Sequence, residues 1–370
     1  GLPVLLGLLT GTAALLAITG LASEAGAPEK VLLIRANVQG GGTYGPFVNS
    51  NHFAAAIELT LPAALVLLAA ASRQLGRPGE ARRQGTVLVM AAGVATILAG
   101  AAMLRCGSRG GPLFLIAALV ITLPLWRRPH PGRRWPWVAA VAVVVVGVVT
   151  LASTQLAELE EGFKQLITIE GVDGNTRWEL WAGTVRLFTR APILGTGLGS
   201  YRHVIGLDKP ATGGAVLEQA HNDWIEWLAG GGVVGGLILL AAASWLLWHL
   251  RPAQVRRLRY EYRYPLAGAA LALVATGLHE LVGFGVQMPL NRYLLAAWIG
   301  LVWGVASTTS SAGRRQRRRT PSRSEDERPD QALIIPDADE PMRPTDDPEV
   351  LETGPSVAFG PWSNGPRAEV

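Results

Sequence analysis

The stretch FAAAIELTLPAALVLLAAA, residues 53–71, carries one ionisable side chain, Glu58, in an otherwise apolar run. As a helix rising about 1.5 Å per residue it is long enough to cross a hydrocarbon core of about 30 Å. A carboxyl group in such a run is costly and marks a site rather than a packing accident. Similar runs lie near 3–22, 86–104, 111–126, 136–152, 233–250, 265–284 and 288–306. With 49% hydrophobic and 16% charged residues, the chain reads as an all-α polytopic membrane protein with about eight transmembrane helices. A large soluble protein would need amphipathic helices to cover these runs, and the sequence offers almost none. The chain opens on Gly1, and its first apolar run lacks both a basic leader and a small-residue cleavage site. The run therefore reads as a span rather than a signal peptide, and the chain as part of a longer protein with upstream spans.

The arginines set the orientation. Arg73, Arg77, Arg82 and Arg83 lie in one connector, Arg127, Arg128, Arg133 and Arg134 in the next, and Arg251, Arg256, Arg257, Arg259 and Arg263 in a third; Arg314, Arg315, Arg317, Arg318 and Arg319 follow the last span. Basic connectors stay in the cytoplasm. They alternate with 23–52, 105–110 and 153–232, so a single topology satisfies every loop. The formal net charge of +5 then reflects topology and attraction to anionic lipid, not nucleic-acid binding. Residues 1–306 read as the membrane-embedded domain, with 153–232 as a large helical extracytoplasmic loop. Residues 307–370, rich in Pro, Arg, Asp and Glu, read as a disordered cytoplasmic tail.

This topology puts the chemically capable residues on the outer side, where nucleotides are scarce and a substrate must arrive already activated. Cys106 is the sole cysteine, so no internal disulfide frames the outer loops. Asn175 or Thr176 caps a helix that starts at Arg177 and stops before Pro192. At about 100° per residue, Arg177 shares a stripe with Trp181, Val185 and Phe188, while Glu179, Arg186 and Arg190 face away. A guanidinium on the packed face of an outer helix suits phosphate oxygens. In AHNDWIEW, residues 220–227, the same projection aligns His221 with Trp224, Ile225 and Leu228 and turns Asp223 and Glu226 outward. A neutral imidazole among His52, Arg109 and Arg177 suits a general base. GTGLGS, residues 195–200, follows a helix and a proline rather than a strand, so it reads as a turn. The histidines show no HxxxH spacing and no cysteine joins them, which makes a zinc site the weaker reading.

Five segments carry a resemblance: FVNSNHFAAAIEL (47–59), SRGGPLFLIAALV (108–120), NTRWELWAGTVRLFTRAPILGTGLGSY (175–201), AHNDWIEWLAGGGVVGG (220–236) and HELVGFGVQMPLNRYLLAAWIGLVWG (279–304). In this order they resemble the signature blocks of the O-antigen ligase and polymerase superfamily of bacterial integral-membrane glycosyltransferases. The resemblance implies a donor glycan on undecaprenyl diphosphate, an acceptor that is a glycan, lipid or protein, no cofactor and no metal, and a site on the outer face of the bacterial cytoplasmic membrane. It implies Arg109, Arg177 and His221 as catalytic residues. The reading of the outer segments adds Arg35, Asn49, Asn51, His52, Glu58 and His279 as substrate-binding candidates. The last block departs from the family's His-Ser followed by an Asp, since here His279 precedes Glu280 and Gly283. A transporter or flippase of lipid-linked sugars is the alternative, but it would bury its charges along a midplane path.

Overall fold

The computed structural model describes residues 1–27, 30–36, 43–126, 176–207 and 218–319. Their architecture is all-α, apart from an antiparallel pairing of Lys30–Val31 with Arg35–Ala36. The long helices are α1 (Leu2–Gly26), α2 (Ser50–Ala71), α3 (Glu80–Arg105), α4 (Gly110–Trp126), α5 (Thr176–Arg190), α6 (Asp223–Leu250), α7 (Tyr260–His279) and α8 (Pro289–Arg319).

The opening stretch forms the hub. α2 packs against α1, α3, α4, α7 and α8, and it is buried without a break from His52 to Ala64. Alanines on α2 and the run Ala267, Gly268, Ala269, Ala270 on α7 let the backbones approach closely, as small residues do between helices in lipid. A Cβ at Gly268 would lie 2.5 Å from a Val66 methyl carbon. Trp298 of α8 is fully buried and donates its indole N–H to the Leu59 carbonyl at 2.7 Å.

Four described helical stretches are long and apolar enough to cross a bilayer: Leu2–Gly26, Ser50–Gly76, Glu80–Arg105 and Asp223–Leu250. Gly110–Trp126 is apolar but shorter. The expected span at 136–152, the basic connector before it, most of the large loop's first part, and residues 320–370 lie outside the described residues. The expected span 265–284 is instead α7, which stops at His279 and gives way to a turn over 280–288. The Glu280 carboxylate fixes that turn by accepting the N–H groups of Gly285 and Val286 at 2.9 and 3.1 Å. α8 then starts at Pro289, a residue preorganised for a first helical position, and continues through 307–319.

α6 is broken. Gly232 takes φ 61° inside it, a left-handed conformation open to glycine at little cost. The turn after α5 enters the break. Thr196 and Gly197 donate their N–H groups to the carbonyls of Ala229 and Gly230, both at 2.9 Å. Val233 and Val234 donate theirs to Pro192 and Ile193 at 2.8 and 3.1 Å. A Cβ on Gly195 would meet the Gly230 carbonyl carbon at 2.3 Å. The GTGLGS segment is thus a turn, and its Gly195 serves close backbone packing.

The expected orientation has a direct test. Arg77 and Arg186 are both exposed, whereas Cys106 is buried and its thiol is pushed up to about 12, chiefly by burial. The native thiol therefore stays silent toward thiol reagents. A membrane-impermeant maleimide applied to intact cells should label Arg186→Cys and spare Arg77→Cys until the cells are opened. Equal labelling of both in intact cells would invert the outer-face assignment.

Candidate active site

Four helix ends and one turn build the site. At the start of α2, the Asn49 side chain caps the helix by accepting the Asn51 N–H at 2.8 Å, which places His52 in the first turn, 4% exposed. At the start of α6, Asn222 caps by accepting from Trp224 and Ile225 at 3.1 and 3.2 Å. His221 precedes the cap with φ 52°, a conformation uncommon outside glycine. The backbone N–H of Asp223 then reaches the Glu280 and Gly283 carbonyls at 3.1 and 3.2 Å, and Gln287 donates to Asp223 and Glu226 at 2.7 and 3.0 Å. These bonds dock the head of α6 onto the 280–288 turn.

The result is a small cleft lined by Asn51, His52, His221, His279, Glu280 and Phe284, among others. Phe284 stands edge-on to two imidazoles, with ring centroids 4.5 Å from His52 and 4.7 Å from His221. Behind the cleft wall, His279 Nδ1 and Glu58 Oε1 are 2.9 Å apart, and both residues are buried. Neither ring nitrogen of His52 has a hydrogen-bond partner. Arg177, 7% exposed, comes from the first turn of α5 and donates Nη1–H to the Val282 carbonyl at 3.2 Å, which brings it to the same turn. Burial, the Arg177 guanidinium and the His52 ring together lower His221 to about 4. The ring is therefore neutral at physiological pH and able to accept a proton or a hydrogen bond.

Asn51, His52, His221 and His279 line this cleft, with Glu58 bonded behind His279. Arg109 adjoins Gly110, where a Cβ would stand 3.3 Å from His279 Nε2. Asn49 acts on the backbone as a cap. Arg35 is exposed on the Lys30–Ala36 hairpin and does not line the cleft.

Two helical projections need correction. On α5 the buried stripe is Arg177, Leu180, Thr184 and Leu187, while Val185 is exposed; Thr184 turns inward because its hydroxyl bonds the Tyr201 hydroxyl at 2.6 Å. On α6 the pattern is reversed. Asp223 is buried, whereas Trp224 and Leu228 are exposed, because inward carboxylates find partners in Gln287 and the Ala220 N–H. His221 itself lies before the helix, so a helical projection does not apply to it. Sequence reading also missed Phe284, and it named Glu280 without giving it a place in the site. The usable signal was Gly283 and Gly285, two glycines at the junction of the expected spans 265–284 and 288–306.

Residues 94–240 match the family model described as O-antigen ligase. The matched stretch runs from α3 into α6 and contains Arg109, Arg177 and His221, but not His52, Glu58 or His279. No curated protein matches the chain.

Proposed function

We propose that this protein, whose residues 94–240 match the O-antigen ligase family model, transfers glycan from an undecaprenyl-diphosphate carrier to an acceptor hydroxyl at the outer face of the bacterial cytoplasmic membrane. The supporting observation is the cleft itself: a neutral His221 beside Arg177, at the ends of helices rather than along a midplane path. That placement favours chemistry over translocation. The lipid tail of such a donor lies in the bilayer and its diphosphate at the surface, level with this cleft under the expected topology.

A sugar on a lipid diphosphate already carries its driving force. The acceptor oxygen bonds to the anomeric carbon while the bond from that carbon to the diphosphate oxygen breaks, its electron pair leaving with the diphosphate. Arg177, with Arg109, sits against the charge that develops on the departing group. A guanidinium fork matches a pair of phosphate oxygens. His221 takes up the acceptor hydroxyl, and Asn51 and His52 shape the space beside it.

In detergent, the purified full-length chain should release undecaprenyl diphosphate from an undecaprenyl-diphosphate-linked glycan with no nucleotide present and with EDTA added. Complete loss under EDTA, restored by a divalent ion, would replace the metal-independent scheme with a metal-assisted one. The envelope of a deletion strain separates the two members of the reading. Shortened glycan chains indicate a polymerase, and full-length chains stranded on the lipid carrier indicate a ligase.

A further inference from the structure

The scheme above leaves the proton unfinished. His221 meets the acceptor hydroxyl, yet burial and the Arg177 guanidinium make it a poor holder of a proton. Its neighbour His52 is buried among apolar atoms with both ring nitrogens unpartnered and has no anion to steady a charge. His279 is built differently. Its Nδ1 lies 2.9 Å from the Glu58 carboxylate, a contact that fixes the tautomer with the proton on Nδ1, leaves Nε2 as the acceptor and sets an anion beside any charge formed on the ring. Its Nε2 lies beside Gly110, at a point where any side chain would intrude: a Cβ there would stand 3.3 Å from Nε2 and 3.2 Å from Phe114. The glycine keeps side-chain atoms away from that nitrogen, next to Arg109 in the chain. Both His279 and His221 line the one cleft.

We propose that the His279–Glu58 pair is the final acceptor of the proton released by the acceptor hydroxyl, with His279 Nε2 as the catalytic atom and Glu58 as its positioning residue. The proposal rests on the glycan-transfer reading. As the acceptor oxygen bonds to the anomeric carbon and the diphosphate leaves with the electron pair, the hydroxyl proton ends on Nε2, while the Glu58 carboxylate holds the Nδ1–H and balances the new charge. The proton returns to water as the products depart. His221 then orients the hydroxyl, and the carboxyl group inside the 53–71 run has a task that its burial cost would otherwise leave unexplained.

Two measurements on the full-length chain test this. With an undecaprenyl-diphosphate-linked glycan as probe, Glu58→Gln, which keeps the shape and can still accept the Nδ1–H, should lower kcat at least about tenfold with donor KM within about twofold. His279→Gln should lose a similar factor. The double variant should lose little more than either single one, as expected of groups acting as a unit, and Glu58→Asp should recover part of the rate. A wild-type rate for Glu58→Gln overturns the proposal while leaving the glycan-transfer reading intact; a wild-type chain that neither binds nor consumes the probe overturns the reading instead. The second measurement needs no turnover. Nitrogen NMR of histidine-labelled protein, with the His279 signal identified by its absence in His279→Gln, should show Nδ1 protonated and Nε2 bare at neutral pH. An Nε2-protonated His279 ring in the resting protein overturns the proposal whatever the probe does.

Discussion

His221→Ala should lower turnover of a lipid-diphosphate glycan by about a hundredfold or more, the range expected for losing the group that orients the attacking hydroxyl for its proton transfer. Donor binding should stay close to wild type, because the proposed scheme gives the diphosphate to Arg177 and Arg109 and the acceptor to this ring. The protein should stay folded: His221 lies before the Asn222 cap, and the docking of α6 is carried by the Asp223 backbone and Gln287. The pH behaviour follows from the same surroundings. His221 is lowered to about 4 by burial, then by Arg177 and His52, whereas an unfolded histidine titrates near 6.5. The folded protein therefore resists the proton. This residue's contribution to stability is complete above about 6.5 and is lost as pH falls from there toward about 4. Activity attributable to the neutral ring should hold through the neutral range and fade only as pH approaches 4. A wild-type rate for His221→Ala would remove the residue from the mechanism.

Arg177→Lys should be almost as damaging, with a different signature. Lysine keeps the charge but presents a point donor in place of a planar fork. It cannot both satisfy the Val282 carbonyl, which Arg177 meets at 3.2 Å, and grip two phosphate oxygens. Donor affinity and rate should fall together, by about tenfold or more each given the cost of losing a charge-assisted bidentate contact. Arg186→Lys and Arg190→Lys, on the exposed face of α5, should be tolerated. Near-normal donor binding by Arg177→Lys would show that the guanidinium only braces the 280–288 turn.

Much of this arrangement was legible from residues alone. The apolar runs located the long described helices other than α5, because hydropathy and length leave few alternatives, although α6 starts at Asp223 rather than at 233 and α8 runs on to Arg319 rather than ending at 306. The start of α5 followed from its capping residues and its stop from Pro192. The facing of α6 was misread for a physical reason: amphipathic projection assumes the apolar side turns inward, whereas here Trp224 and Leu228 are exposed and Asp223, held by Gln287, is turned inward. The cleft's far wall was hidden for another. The 280–288 turn straddles the junction of two expected spans, and its cohesion comes from bonds such as those of Asn291 to the His52 and Gly285 carbonyls, at 3.1 and 3.0 Å, the first across 239 residues, which no periodicity reports. The Glu58–His279 bond joins residues 221 positions apart, so each residue could be noticed singly but not as a pair.

The break in α6 has a bearing on how freely the sequence can drift. Four of the bonds that hold the 192–197 turn in that break are main chain to main chain and impose no demand on side-chain identity; the Thr196 hydroxyl adds a longer one, to the Ala229 carbonyl at 3.4 Å. Ile193, Leu194 and Leu198 point away from the packing and are 68%, 72% and 63% exposed; substitutions at these positions leave the splice untouched. Gly195 and Gly232 have no such latitude, since a Cβ at either would stand about 2.3–2.4 Å from backbone atoms of the opposite strand of the splice. The placement of α5 against α6, and with it of Arg177 near His221, is therefore guarded by two positions that bear no side chain at all, while the exposed Ile193, Leu194 and Leu198 are free to vary.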